Sequence, residues 1–79
     1  MFEKMRSYIL EEELTITIFK DKVNIVNYDN LGMISSNKIV VNYGTGKAII
    51  NGQKLVITRL LDDEVLIVGQ IARIEFGEL

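Results

Sequence analysis

The sequence contains no cysteine and no histidine. Without cysteine there is no disulfide, thiolate metal site or cysteine nucleophile, and without histidine no side chain has an ordinary pKa suited to carrying protons near neutral pH. Proline is also absent, so no proline interrupts the hydrophobic segments. These absences argue against a catalytic centre, and we predict no enzyme activity, no metal ion and no cofactor.

The chain is short and nearly balanced in charge. Its 79 residues suffice for one domain, and its 9 basic and 11 acidic residues give a net charge of −2. Such a balance does not draw a protein strongly to nucleic acid or to anionic lipid. The longest strongly apolar stretch without charge, residues 65–72, is far shorter than the ~20 residues of a membrane-spanning helix. Since no secretory signal is visible, we expect a soluble, cytoplasmic protein.

Apolar and polar side chains alternate along most of the chain. Val23 and Ile25 alternate with polar neighbours, which is the period of a β-strand with one face in the core, and the same alternation places Ile18 and Phe76 on the core face. Many of the apolar residues are β-branched, as strands favour. The pattern predicts strands at roughly residues 13–19, 22–28, 38–43, 47–51, 53–60, 64–69 and 71–76.

Turn residues separate these segments. Asn51-Gly52 is a strong β-hairpin signal, because both residues readily adopt positive φ, and Gly44-Thr45-Gly46, Asp62-Asp63 and Lys20-Asp21 mark further short turns. Connections this short require antiparallel neighbours. We therefore predict an all-β fold: a single antiparallel meander of about seven short strands that forms a curled sheet or a small open barrel.

Two segments depart from the regular pattern. Residues 1–12 are predicted to be an N-terminal tail or a short amphipathic helix, preceding a β domain of residues 13–79. Residues 28–37 form the longest irregular connection, in which Leu31, Met33 and Ile34 suggest a short extra strand.

Three motifs have residues that could bind a phosphate or a metal ion. Gly44-Thr45-Gly46 resembles a phosphate-binding loop, but that function needs a following helix and the next residues continue as a strand, so a turn is favoured. The acidic runs 11–13 and 62–64 are better interpreted as solvated charge than as a calcium site, which needs about six to eight oxygens from spaced positions. A hydrolase would need carboxylates converging in a pocket, and it stays as a third hypothesis.

Several apolar residues lie out of phase with the core positions. Strands that are apolar on both faces are usually covered on both faces, and a sheet of this size covers only one of them well. One interpretation is a surface for other proteins or for self-association. The alternative is a strongly coiled barrel whose strands change face at a bulge, for which Gly69 is a candidate. The predicted interaction residues are Val26, Val40, Ile49, Val56, Leu66 and Val68.

Nucleic-acid binding is the main alternative function, since small β-barrels often perform it. It requires a basic face with interleaved aromatic side chains. The aromatic residues are dispersed along the chain and acids outnumber bases. Basic residues that would have to converge on one face are Lys20, Lys22, Lys38, Lys47, Lys54, Arg59 and Arg73.

Four segments carry a resemblance to a known family: residues 23–28, 37–41, 46–57 and 64–76. In order, they are an aromatic-terminated strand, an alternating strand, an isoleucine strand that leads through Asn51-Gly52 into a leucine strand, and a final strand with a central Gly69 before an Ile-x-x-Ile-x-Phe pattern. In order and spacing the chain resembles the YabP/YqfC family of sporulation proteins over residues 14–76.

The resemblance implies a role in endospore formation, in coat or cortex assembly at the boundary between mother cell and forespore. It implies a location in the mother-cell cytoplasm, peripheral to the forespore membrane, and protein partners that include further copies of the chain or a sporulation membrane protein. It supplies no catalytic residues. The expected function is accordingly that of a non-enzymatic protein-interaction module.

Overall fold

A computed structural model describes residues 13–79, which form six antiparallel strands in one open sheet. The predicted all-β, antiparallel architecture is confirmed, and the extra strand suggested near Leu31 is present as β3. The predicted tail or helix of residues 1–12 lies outside the described residues. The strands are β1 Thr15–Ile18, β2 Lys22–Val26, β3 Asn30–Ile34, β4 Lys38–Tyr43, β5 Gly46–Leu60 and β6 Glu64–Glu78.

The hairpin predicted at Asn51-Gly52 is wrong. Both residues lie inside β5, where Asn51 is opposite Arg73 and Gly52 is opposite Ile71 of β6. The segments predicted as 47–51 and 53–60 are therefore one strand, and 64–69 and 71–76 are another. β3 adds a strand, so the described residues contain six rather than about seven. Gly52 allows β5 and β6 to lie close together and does not form a turn, because a Cβ there would collide with the Gln70 carbonyl of β6.

The strand order is β1-β2-β6-β5-β4-β3, which departs from a simple meander at one point. β2 pairs with β6 and not with β3, so residues 27–29 carry the chain from one side of the molecule to the other. Asn27 takes a left-handed φ of 71° there, which asparagine tolerates better than most residues. Its backbone N–H donates to the Asp63 carbonyl at 2.6 Å and holds the crossing against the β5–β6 turn.

The sheet folds back on itself into two layers. We call β3, β4, residues 46–51 of β5 and residues 73–78 of β6 the front layer. We call β1, β2, residues 56–60 of β5 and residues 64–68 of β6 the back layer. The inner faces of both layers contribute to one hydrophobic cluster, whose burial is the main stabilising contribution. Its buried members are Val23, Ile25, Tyr28, Ile39, Val41, Ile50, Leu55, Val65 and Ile67.

The fold-back occurs where β5 and β6 bend together. Their register shifts between Asn51 and Gly52 and again between Gln53 and Val56, opposite Gly69. Gly69 has a φ of 149°, and a Cβ there would lie 2.6 Å from the Lys54 carbonyl oxygen, so only glycine fits without a shift. The irregularity predicted at Gly69 is thus present, and it turns one long hairpin into parts of two layers.

The described chain begins and ends at the same end of the molecule. The backbone N–H of Leu79 donates to the Thr45 carbonyl at 3.1 Å, beside the β4–β5 turn. Glu13 lies near the same turn, where it lines a groove with Gly44 and Phe76. The bend of β5 and β6 is at the opposite end of the layers.

Candidate interaction surface

The six predicted interaction residues lie on the outer faces of the two layers and form two patches. Val40 and Ile49 are directly paired across β4 and β5 in the front layer, and we call them the front patch. The other four belong to the back layer and are called the back patch: Val26, Val56, Leu66 and Val68. Because the inner faces of the layers are turned toward the core, the two patches point away from each other.

The front patch is surrounded by charge. Lys38, Lys47 and Arg73 lie on the same outer face. Lys38 and Lys47 are each next in sequence to a buried residue, and successive strand residues point to opposite faces. Arg73 is paired with Asn51, which is next to the buried Ile50. Arg73 Nε donates to Glu75 Oε2 at 2.9 Å in an exposed ion pair, and Glu75 is directly opposite Ile49. The front patch is therefore an apolar pair surrounded mainly by basic side chains.

The back patch is larger and less charged. Val56 is directly opposite Val68, and Val56 is 57% exposed although it lies in a strand. Leu66 lies between Asn24 of β2 and Arg59 of β5, and Arg59 pairs with Glu64 at 3.0 Å at the margin of the patch. Branched apolar side chains thus occupy the centre of this outer face, with polar groups around them.

Two residues predicted to face the core are instead exposed. Ile18 and Phe76 are each 63% exposed, although the alternation assigns them to the core side. Both lie near the ends of their strands, where the layers no longer cover each other. That geometry depends on how the sheet folds back, which the alternation does not encode.

Phe76 borders a groove of about 860 Å³ between the start of the described chain and the β4–β5 turn. Polar groups that line the groove form hydrogen bonds between loops. Asp29 Oδ2 accepts from the Gly44 backbone N–H at 2.6 Å, and Asn27 Nδ2 donates to the Glu13 carbonyl at 2.9 Å. The Gly44-Thr45 segment is a turn with a φ of 55° at Gly44 and a strand after it, as favoured above over a phosphate-binding loop.

Tyr28 is a buried residue whose hydroxyl has a raised pKa. Burial raises the pKa of its hydroxyl, and the negative charges of Asp63 and Asp62 raise it further. The hydroxyl donates to the Leu61 carbonyl at 3.1 Å. The shift therefore belongs to a structural hydrogen bond between the crossing segment and the β5–β6 turn.

The acidic turn at 62–64 does not gather into a cation site. Glu64 is engaged with Arg59, and within residues 13–79 no three acidic side chains lie together so as to hold a metal ion. Most of the second acidic run, residues 11–13, lies outside the described residues. In the same part of the chain, no helix is long and apolar enough to cross a membrane.

Basic and aromatic side chains meet beside the β1–β2 turn, where Lys22 Nζ lies 5.2 Å from the centroid of the Phe19 ring, but in the front layer they lie on different faces. Lys38, Lys47 and Arg73 share the outer face of the front layer, whereas Tyr43 and Phe76 line the groove on the inner side. Stacking of nucleotide bases requires both residue types on one surface. One contact of this kind does not form an extended stacking surface, so the geometry gives the nucleic-acid alternative little support.

Comparison with known proteins gives one assignment. Searches of curated proteins and of solved structures gave no significant match. The model of the YabP family matches residues 11–79, which include every strand described above. The resemblance inferred from the order of the strand segments is thereby confirmed, and the chain belongs to the YabP family.

Proposed function

We propose that the protein is a non-enzymatic interaction module that acts in the assembly of the endospore. Membership of the YabP family indicates a sporulation-related protein. The finer proposal is a role in coat or cortex assembly, in the mother-cell cytoplasm at the forespore boundary. Its partners there are other proteins, either a sporulation membrane protein or further copies of the chain.

The observation that carries this proposal is the apolar character of the outer faces. The inner faces alone supply the hydrophobic cluster, yet Val40 with Ile49 and Val56 with Val68 form directly opposed apolar pairs on the outside. Cross-strand pairs of branched side chains stabilise a sheet modestly, by ~0.2–1 kcal/mol each. Contiguous apolar surface with a polar margin is typical of sites that bind other proteins.

The charge around the front patch indicates which partner surface would fit it. Lys38, Lys47 and Arg73 surround Val40 and Ile49, so an apolar contact with an acidic margin would be complementary. Such complementarity mainly governs the rate and specificity of association. The back patch is bounded by the Arg59–Glu64 ion pair and by Lys22, which is opposite Val68, so its margin carries a smaller net positive charge.

The test replaces one residue of each patch with lysine in a spore-forming host. Ile49→Lys and Val68→Lys each place a charge in a patch without altering the buried cluster. Each variant is expected to reduce the yield of heat-resistant spores and to disperse a fluorescent fusion of the protein that otherwise accumulates at the forespore. Ile18→Lys, at a position 63% exposed on β1 and opposite the buried Val23 on the inner side of the sheet, is the matched control and should retain both properties.

Purified variants must first be shown to fold, by circular dichroism and thermal unfolding. If folded Ile49→Lys and Val68→Lys proteins both support normal spore yield and normal localisation, the outer faces are not interaction surfaces and the proposal is wrong.

A further inference from the structure

The C-terminal part of β6 has a free edge. β2 pairs with β6 only over residues 64–68, whereas β5 pairs with it as far as Glu78. Among the described residues, nothing pairs with the other side of residues 70–78. Their outward backbone N–H and C=O groups are therefore available to another strand.

This edge differs from the other edges of the sheet. β1 and β3 are edge strands of 4 and 5 residues, and residues 56–60 of β5, which pair with β6 but not with β4, form another short edge. Short edges offer few hydrogen bonds to an added strand. The free part of β6 is longer, contains neither proline nor lysine, and carries the exposed Phe76. Charged side chains, proline and short length are the usual means of blocking an edge, so Arg73, Glu75 and Glu78 restrict this one to a strand with complementary charges.

We propose that residues 70–78 of β6 pair antiparallel with the same residues of a second copy, about a two-fold axis at Ile74. The proposal deepens the proposed function, because self-association is one of the interactions suggested there. Pairing would join the two front layers into one continuous sheet in the order β3-β4-β5-β6 and then β6-β5-β4-β3 of the second copy. This is an isologous contact, which closes as a dimer.

The sequence of the edge is self-complementary in this register. A two-fold axis at Ile74 brings Arg73 opposite Glu75 of the second copy and Glu75 opposite its Arg73. Arg73 and Glu75 already share one outer face and form an ion pair at 2.9 Å within the chain. Two copies would thus produce a ring of four alternating charges, and opposite charges directly across a strand pair are stabilising.

The remaining pairs in the register are also compatible. Ile74 meets its own counterpart, and Phe76 meets the bulge at Ala72, which is left unpaired between Arg73 opposite Asn51 and Ile71 opposite Gly52. A shift of the axis by two residues, to residue 72 or 76, would remove the pairing of Arg73 with Glu75. The charges therefore select one register, in the way that side-chain pattern generally does for strands.

A charge-exchange experiment tests this pairing with the purified full chain. Sedimentation velocity over about two orders of magnitude in concentration should show a monomer–dimer equilibrium. Arg73→Glu and Glu75→Arg each place like charges across the axis, and each is expected to weaken self-association by about tenfold. Mixing the two variants restores opposite charges at both positions, so the mixture should form mixed dimers at wild-type strength.

The control is the other exposed ion pair. Arg59→Glu and Glu64→Arg change the net charge by the same amounts but lie in the back layer. These variants should self-associate like the wild type and show no preference for mixed dimers. In addition, the outward-pointing backbone amides of residues 70–78, which do not bond to β5, should exchange more slowly as the protein concentration increases.

The proposal is overturned if the protein is monomeric at every concentration, or if mixing Arg73→Glu with Glu75→Arg recovers no association. Protection of those outward-pointing amides in a monomer would also overturn it, since another segment would then cover the edge. Because purified protein alone is measured, these results are independent of spore yield. A failed dimer leaves the outer-patch function open, and a failed spore assay leaves the dimer open.

Discussion

At the scale of single residues, Tyr28 connects the crossing segment to the β5–β6 turn. It is 8% exposed, and its hydroxyl donates to the Leu61 carbonyl at 3.1 Å. Replacing Tyr28 with phenylalanine keeps the ring in the core and removes this hydrogen bond. We expect Tyr28→Phe to lower the free energy of unfolding by about 0.5–1.5 kcal/mol in urea titrations. An unchanged unfolding midpoint would show that the hydrogen bond contributes nothing.

The raised pKa of Tyr28 predicts a loss of stability at alkaline pH. Its ordinary pKa is 10.0, and the folded state holds the pKa above that value through burial and the charges of Asp63 and Asp62. Below pH 10 the hydroxyl is protonated in both states and its contribution is complete. As the pH rises through the folded-state pKa, the unfolded state has already lost the proton, so the contribution disappears.

Urea midpoints measured on either side of pH 10 check this prediction. The wild type should lose more stability across that range than Tyr28→Phe, which lacks the titrating group. All other groups are common to both proteins, so their effects cancel in the comparison. Parallel curves for the two proteins would contradict the assignment.

Two glycines with positive φ, Gly69 in the bend and Gly44 in the β4–β5 turn, predict alanine substitutions of different cost. Gly69→Ala combines a φ of 149° with a backbone contact at 2.6 Å, so we expect a cost of about 3 kcal/mol or more. Gly44 has a φ of 55° but nothing within 4 Å of a Cβ, so Gly44→Ala should cost only about 1–2 kcal/mol. Thermal unfolding of both variants measures the difference, and equal costs would show that the bend tolerates a Cβ.

At the scale of secondary-structure elements, β5 distinguishes two interpretations of Asn51. In a hairpin turn, Asn51 would need positive φ, and a β-branched residue there would be destabilising. In the structure the residues other than glycine with positive φ, among those described, are Asn27 and Lys54, and Asn51 is an ordinary strand residue opposite Arg73. Asn51→Thr should therefore change the free energy of unfolding by less than about 0.5 kcal/mol.

Chemical denaturation of Asn51→Thr measures this value, and Asn27→Thr provides the contrast. Asn27 does have a positive φ and donates through its side chain to the Glu13 carbonyl. The same substitution there should be clearly destabilising. If instead Asn51→Thr is the more damaging of the two, β5 contains a turn after all.

Alternation was sufficient to locate the strands but not to count them. Val23, Ile25, Ile39 and Val41 are fully buried where the period of two places them. The sequence predicts a turn at Asn51-Gly52 because glycine fits a hairpin turn and equally fits a place where two paired strands lie too close for a Cβ. Only the position of β6, which is distant in sequence, decides between them. That contact cannot be predicted from the residues around Asn51.

At the scale of the whole molecule, both layers depend on one hydrophobic cluster. Ile25 in the back layer and Ile39 in the front layer are fully buried members of it. Unfolding of either layer would expose the inner face of the other, so we expect a single cooperative transition. Ile25→Val should lower the stability of both layers equally, by about 0.5–1.5 kcal/mol.

Hydrogen exchange measured separately on β2 and β4 tests this cooperativity. In the Ile25→Val protein, the slowest amides of both strands should lose protection by the same factor. Loss confined to β2 would show that the back layer opens independently.

The candidate surface was predictable in composition but not in arrangement. The out-of-phase residues Val40 and Val56 do lie on outer faces, because a strand must turn successive side chains to opposite sides. Their division between two patches follows from the bend, which sequence indicated only through Gly69. The free edge of β6 had no local signal, because it exists only where β2 ends and β5 continues.

The hydrogen bond between Leu79 and Thr45, together with the position of Glu13 beside the same turn, has a practical consequence for orientation. A polypeptide joined to either end of residues 13–79 departs from one pole of the molecule. If the protein is tethered there, Lys54 and the rest of the bend point outward into the surroundings. A dye attached at residue 54 would then report the distance from the tether to the far tip.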